Sequence, residues 1–113
     1  MNILTHDGEG YKRLLESASW TVAELNYAQR FDEGNLVRLE RHLQTDEVFV
    51  LLAGEATLVV GKECSRVRME AARAYVIAAG EWHHILVKPG THVLIVENAN
   101  TGAANTDYLD LKK

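Results

Sequence analysis

Short runs of alternating apolar and polar residues, broken by turns roughly every eight to twelve positions, dominate the chain after residue 19. This pattern predicts an all-β sandwich or barrel made of short strands. Glycine-containing turns follow most of these runs. The expected strands cover residues 20–28, 36–42, 47–52, 56–60, 74–78, 83–87 and 93–97.

The two ends of the chain lack this strand pattern. Residues 10–18 contain good helix formers with no breaker after the first glycine, and they predict a short N-terminal helix with Tyr11, Leu14 and Leu15 on its packing face. The polar segment 98–108 predicts a loop across the barrel surface. No linker or repeat divides the chain, so we expect one domain over residues 1–113.

Polar residues stand at the ends of several apolar strand faces. Alternate side chains of a strand share a face, so Glu47 lies on the same face as Phe49 and Leu51. That strand is apolar on both faces, which indicates that both are covered and that Glu47 points inward at the barrel mouth. His83 begins an apolar face in the same way, and one face of the strand ending at His42 becomes polar towards its end.

A carboxylate at such a position needs compensation, because an unpaired buried charge costs several kcal/mol. A metal ion, an arginine or open water can supply it. Arg38 and Arg41 are the candidate arginine partners for Glu47. His84 points away from His83 by the same alternation, and we expect it to be exposed at the surface.

Two stretches of the sequence resemble the motifs of the cupin family. Residues 40–47, Glu-Arg-His-Leu-Gln-Thr-Asp-Glu, with Gly54 closing the next hairpin, resemble the first motif. Residues 78–83, Ala-Ala-Gly-Glu-Trp-His, resemble the second motif, although alanine replaces its proline. The resemblance covers a core of about residues 36–97 and implies a single cupin double-stranded β-helix, or jelly-roll, barrel.

The resemblance also implies a metal site. In the family, two histidines and a glutamate of the first motif bind one metal together with the histidine of the second motif. These positions correspond here to Glu40, which replaces the first histidine, and to His42, Glu47 and His83. Two imidazoles with one or two carboxylates suit a divalent transition metal such as Zn, Fe, Mn or Ni. Alternatively, Glu40 pairs with an arginine and the site has lost its metal.

Three functions are compatible with this resemblance, because one fold hosts many functions. The first is a metal-dependent dioxygenase, isomerase or epimerase-like enzyme for a sugar or small acid, with Glu47 or Glu40 as a base. The second is a module that binds or senses a small-molecule ligand without turnover. The third is a scaffold whose interior is filled by side chains. The resemblance further implies a homodimer.

Composition limits the kinds of partner that the protein can bind and the compartment in which we expect it. The chain is 47% hydrophobic and 25% charged, with a net charge of −4 and no basic cluster, which argues against nucleic-acid binding. The first residues contain no long apolar run, so we expect neither a signal peptide nor a membrane segment, and a cytoplasmic location. Cys64 is the only cysteine, which excludes a disulfide within the chain.

Overall fold

A computed structural model describes residues 1–111 and contains ten strands in two five-stranded antiparallel sheets. Three single turns of 3₁₀ helix, Gln29–Phe31, Glu33–Asn35 and Ala103–Asn105, are the only helical segments in this part of the chain. Within residues 1–111, no helix is long and apolar enough to cross a membrane. The strands are β1 (Tyr11–Ser17), β2 (Trp20–Asn26), β3 (Arg38–His42), β4 (Glu47–Ala53), β5 (Ala56–Val60), β6 (Ser65–Arg68), β7 (Ala74–Ile77), β8 (His83–Val87), β9 (His92–Asn98) and β10 (Thr106–Asp110).

The two sheets face each other as a sandwich. Sheet I has the strand order β1-β2-β9-β4-β7, and sheet II has the order β10-β3-β8-β5-β6. The all-β prediction is therefore confirmed, but the expected closed barrel is wrong, because no strand ladder joins the two sheets within the described residues. Sheet II is itself weakly joined in the middle, where β3 and β8 share one register pair, Glu40 opposite His83.

The predicted N-terminal helix is wrong, because residues 11–17 form β1. This strand pairs with β2 from Tyr11 opposite Leu25 to Ser17 opposite Trp20. A register shift between Arg13 and Leu15 marks a β-bulge, which disturbs the simple alternation of a strand. Helix propensity is a weak local preference that tertiary pairing overrides, and here the ladder with β2 decides the outcome.

Besides β1, two further strands lie in segments where the sequence pattern did not predict them. β6 pairs with β5 at the edge of sheet II. β10 lies partly in the tail that was predicted as a surface loop, and it pairs with β3 from Thr106 opposite His42 to Asp110 opposite Arg38. The expectation of a loop for that part of the tail is therefore wrong, since its backbone completes the other edge of sheet II.

The hydrophobic core lies between the sheets, where alternate residues of β2, β4 and β9 meet those of β5 and β8. Leu25, Leu58 and Val93 are among the largest side chains that are fully buried there. Removing such residues from water is the main stabilising contribution to a domain of this size. The core leaves one end of the interior for polar groups.

Gly54 fixes the hairpin between β4 and β5, as the first motif predicted. Its φ of +87° lies in the left-handed region, and a Cβ atom there would stand 2.6 Å from the Cα atom of Thr91. The Thr91 hydroxyl accepts from the backbone N–H of Glu55 and donates to its carbonyl oxygen, both at 3.0 Å. This close approach is possible only for glycine.

Candidate metal and ligand site

The four residues that the sequence singled out lie at one end of the interior. Glu40 and His42 are on β3, Glu47 begins β4, and His83 begins β8. Strand alternation places them there, because Glu40 and His42 share one face of β3 while Glu47 and His83 start the inward faces of their strands. Glu47 and His83 are 5% and 3% exposed, so their polar atoms are removed from bulk water.

The side-chain donors converge on Oε1 of Glu47. This oxygen lies 3.0 Å from Nε2 of His83 and 3.6 Å from Nε2 of His42. Oε1 of Glu40 lies 3.7 Å from the same His42 nitrogen. Despite these short distances, Oε1 of Glu47 is buried without an aligned hydrogen bond from any residue that the structure describes. A buried polar atom without a hydrogen-bond partner is costly, and a cation among these atoms would satisfy it.

Each histidine is held by its other ring nitrogen. Nδ1 of His83 lies 3.0 Å from the carbonyl oxygen of Glu81, which can only accept a hydrogen bond. Nδ1 of His42 lies 2.9 Å from Oγ1 of Thr106, whose own proton is donated to the carbonyl oxygen of Gly102 at 2.7 Å. Both imidazoles therefore donate from Nδ1. This arrangement directs each Nε2 into the site, as metal-binding histidines require, and a proton held there is released when a metal binds.

The electrostatics depend on the two buried histidines and their carboxylate neighbours. Burial lowers the pKa of His42, with Glu40 opposing the shift. Burial also acts to lower the pKa of His83, but the Glu47 carboxylate, together with the Glu81 carbonyl group and Glu40, outweighs it and the net shift is upward. The two rings contact each other edge to face, with centroids 5.4 Å apart. Opposite shifts in adjacent imidazoles favour one positive charge, rather than two, beside Glu47.

Glu97, which the sequence analysis did not select, completes a second group of potential ligands. One donor atom from each of His42, Glu47 and Glu97 lies within 4.8 Å of the other two. Burial, followed by the adjacent Glu47 carboxylate, raises the pKa of Glu97 to about 8. The available signal was the alternation of β9, where Val93, Ile95 and Glu97 repeat the pattern of apolar residues ending in a carboxylate.

Tyr11 is another polar group that sequence reasoning missed. Its hydroxyl donates to Oε1 of Glu97, and burial of the phenol raises the pKa of Tyr11 above its usual value. The helix prediction for residues 10–18 assigned Tyr11 to a packing face. The pairing of β1 with β2 instead brings this hydroxyl to the site.

Neither arginine proposed as a salt-bridge partner compensates Glu47 or Glu40. Nη2 of Arg41 lies 2.9 Å from Oδ2 of Asp107, and its guanidinium stacks over Trp82. The Arg38 guanidinium stacks over Tyr108 with its central carbon 4.1 Å from the ring centroid. The arginine alternative is therefore wrong within the described residues, since neither Arg38 nor Arg41 forms an ion pair with Glu40 or Glu47 there.

A cavity of about 750 Å³ opens from these residues. A volume of this size is typical of sites for small molecules. Its apolar wall comes from interior side chains of both sheets, namely Leu25, Phe49, Ile85 and Ile95. An interior filled by side chains, the scaffold alternative, does not agree with this open volume.

His84 is not the exposed residue that alternation predicted. Its ring is partly buried and stacks on Phe31, with centroids 6.1 Å apart and planes at 23°. Its Nε2 atom is buried and has no hydrogen-bond partner in the described residues. Burial, with a further contribution from Arg30, lowers the pKa of His84 to about 4. The 3₁₀ turn that carries Phe31 covers this part of sheet II, and strand alternation alone does not reveal such a cover.

The donor set fits a divalent transition metal. Two Nε2 atoms directed into the site meet a buried carboxylate oxygen that lacks an aligned hydrogen bond within residues 1–111, and Glu40 and Glu97 each place a donor atom within 4.8 Å of one from His42. Mixed imidazole and carboxylate ligands suit Fe, Mn, Ni or Zn.

The fold is that of the cupins, and comparisons with solved structures confirm the resemblance at the level of fold. A cupin-2 domain protein from Shewanella frigidimarina matches with a TM-score of 0.63 at 18% identity, over 83% of this chain and 84% of its own. Streptomyces PAC13 in complex with uridine matches with a TM-score of 0.70 at 8% identity, over 100% and 93% of the two chains. HppE with Fe(II) and substrate matches with a TM-score of 0.63 at 13% identity, over 77% of this chain and 52% of its own. No family model and no curated protein sequence matches the chain.

Proposed function

We propose that the protein is a metal-dependent cupin enzyme that acts on a small polar molecule held in the interior cavity. The observation that carries this proposal is the meeting of Nε2 of His42 and of His83 around the buried Oε1 of Glu47, in the lining of a cavity of about 750 Å³. The structural neighbours support it, since HppE carries Fe(II) and a substrate, and PAC13 is bound to uridine.

In this proposal, His42, His83 and Glu47 hold the metal, and Glu40 is a fourth ligand. A bound divalent metal would supply Lewis acidity to a ligand oxygen or a site for dioxygen. Glu47 was also expected to act as a base. We assign it to metal binding instead, because its Oε1 lies against both imidazoles and its side chain is only 7% exposed.

Tyr11 and Glu97 have a different role in the proposed site. The Tyr11 hydroxyl donates to Glu97, so each fixes the orientation of the other at the cavity wall. A polar ligand next to the histidines would exchange hydrogen bonds with this pair. The surrounding apolar side chains exclude water from the ligand, which strengthens those hydrogen bonds.

The test begins with metal content. Protein purified without chelator is analysed for Zn, Fe, Mn and Ni, together with His83→Ala and a control, His92→Gln, which removes an imidazole that is 46% exposed. We expect near-stoichiometric metal in the wild type and the control, and none in His83→Ala. Absence of metal from the wild type, with no thermal shift on adding any of the four ions, would contradict the metal site.

Turnover distinguishes an enzyme from a binding module. Metal-loaded protein is incubated in air with panels of sugars, nucleosides and small acids, and products are followed by mass spectrometry. Product formation that is lost in His83→Ala supports catalysis. Saturable binding of a compound without any product would contradict the enzyme and support a binding or sensor module.

We also propose that the protein forms a homodimer through the outer face of sheet I. Val22, Val96, Val48 and Val76 form one row across four strands of this face, through successive register pairs. An outer face of an antiparallel sheet is normally polar where it meets water. Light scattering of Val76→Glu should show a monomer, whereas Val67→Glu on β6 of sheet II should leave the wild-type dimer intact. A monomeric wild type would contradict this assembly.

A further inference from the structure

The arginines of this chain fall into two groups by their partners. Of the seven arginines in the sequence, five have a carboxylate oxygen within 4.0 Å, as in the pair of Arg66 with Glu33. Arg30 and Arg38 have neither an ion pair nor a side-chain hydrogen bond in the described residues, and each guanidinium instead stacks on an aromatic ring. The five paired arginines are Arg13, Arg41, Arg66, Arg68 and Arg73.

The two unpaired arginines lie at one part of the cavity. Both line it, as does His84, and both act on the His84 ring through their charge. Asp110 is directly opposite Arg38 in the ladder between β10 and β3, yet the Arg38 guanidinium lies over Tyr108 and makes no ion pair with it. The buried Nε2 of His84 also lacks a partner. Two guanidinium groups without a carboxylate partner and one unpartnered imidazole nitrogen therefore lie around one region of the cavity wall within the described residues.

This region contains none of the proposed metal ligands, but both line the same cavity. Arg38, Glu40 and His42 occupy one face of β3, and four residues of strand place Arg38 about 13 Å from His42 at Cα. His84 follows His83 on β8, where the two strands share only one register pair. A molecule that reaches from the metal ligands to the arginines therefore lies along the gap between β3 and β8.

We propose that Arg30, Arg38 and His84 form an anion subsite, which binds the phosphate or carboxylate group of a small molecule whose other end lies at the metal ligands. This inference rests on the proposed function, because it assigns the far end of the same cavity. Guanidinium groups bind phosphate and carboxylate by paired, charge-assisted hydrogen bonds. The aromatic rings under Arg30 and Arg38 hold both groups in place before an anion arrives, which reduces the entropy lost on binding.

The chemistry of the subsite narrows the ligand to an anionic compound. Neutral sugars and nucleosides would leave both guanidinium groups without a counter-charge. The metal ligands at the other end favour an oxygen-rich group, such as a hydroxy acid or a diol. A phosphorylated or carboxylated small molecule satisfies both ends.

The test uses chelator-treated protein, so that its result does not depend on a metal. Inorganic phosphate and acetate are titrated separately at low salt and followed by calorimetry and by backbone amide NMR. We expect saturable binding of at least one anion, with shifts around Arg30 and His84. The double substitution Arg30→Gln, Arg38→Gln should weaken that binding about tenfold or more. Arg73→Gln, which removes an exposed and paired arginine, should leave it unchanged.

Two outcomes would contradict the proposed anion subsite. The inference is overturned if neither anion binds saturably, or if the double variant, shown by circular dichroism to be folded, binds like the wild type. Metal content of the double variant should equal that of the wild type. Anion binding that depends on the arginines in a protein that takes up no metal would count against the proposed metal site and leave the anion subsite standing.

Discussion

Glu40 and His83 form the one register pair that joins β3 to β8, and both offer donor atoms to the same candidate metal position. The pair of neighbouring strands in sheet II with the fewest register pairs therefore lies at the proposed metal centre. A metal bound by residues of both strands would link them where backbone pairing is sparse. Stability and metal occupancy should be coupled as a result.

We expect metal binding to raise the unfolding temperature and to slow amide exchange in β3 more than in β5. A ligand at one hundred times its dissociation constant stabilises the native state by about 2.7 kcal/mol. Thermal unfolding and hydrogen exchange with and without the bound metal measure both effects. His83→Ala should show neither, and an equal slowing in all strands would disagree with a local link.

Glu40 occupies the position of the first histidine of the cupin motif, and substitutions there test whether its carboxylate is a metal ligand. Replacing Glu40 with Gln keeps its shape and removes its charge, and we expect metal affinity to fall roughly tenfold or more if its carboxylate is a ligand. Glu40→His, which restores the imidazole of the related motif, should retain metal. Competition with a chromogenic chelator measures all three proteins. Equal affinities for wild type and Glu40→Gln would show that Glu40 only adjoins the site.

Thr106 should act on the metal through His42. Thr106→Val removes the acceptor for Nδ1 of His42 while conserving side-chain volume, and loss of such a partner lowers metal affinity about 10- to 100-fold. Thr106→Ser retains a hydroxyl and should restore most of the affinity. The same loss in both variants would indicate a general disturbance of β10 rather than the hydrogen bond.

Alanine substitutions at Gly54 and Gly90 distinguish the cost of backbone strain from the cost of steric overlap. Both have positive φ angles, +87° and +79°, but only Gly54 has atoms close to a new Cβ. Gly90→Ala should cost about 1–2 kcal/mol from its left-handed conformation alone. Gly54→Ala should cost clearly more, because Thr91 must also move. Urea unfolding measures both, and similar losses would contradict the tight approach of Thr91.

His84 should make the metal-free protein sensitive to acid. Its folded-state pKa of about 4 is below the usual value of about 6.5, so the unfolded chain binds more protons between these values. Stability is therefore fully present above about pH 6.5 and falls as the pH decreases towards 4. The groups around the ring are Phe31, Arg30, Arg38 and His83. His84→Gln should flatten this decline in urea unfolding. An unchanged slope in His84→Gln would contradict this role of His84.

The sequence allowed much of the interior to be predicted, because buried strands have a local signature. β2, β4, β5 and β8 were all expected from apolar alternation and turn residues. That alternation placed Glu47 and His83 on inward faces, and the structure brings them together with His42. Inward polar residues beside apolar ones are visible in sequence, because the pleat has a period of two.

The elements that were missed depend on partners far away in the chain. β10 pairs with β3 although Asp110 and Arg38 are distant in sequence, and nothing in the polar tail itself indicates a strand. β1 combines helix-forming residues with a bulge. Tyr11 and Thr106 were missed for this reason, since each lies on a strand that only its ladder defines.

The hydrogen bond between His42 and Thr106 also has a consequence for biosynthesis. The two residues are 64 positions apart in the chain, and β3 gains its outer neighbour only when β10 is present. A nascent chain that has already emerged through His83 contains both histidines but lacks the group that orients His42. We therefore expect metal to be captured in its final geometry only after the ribosome has released residues beyond Thr106, late in translation or after it.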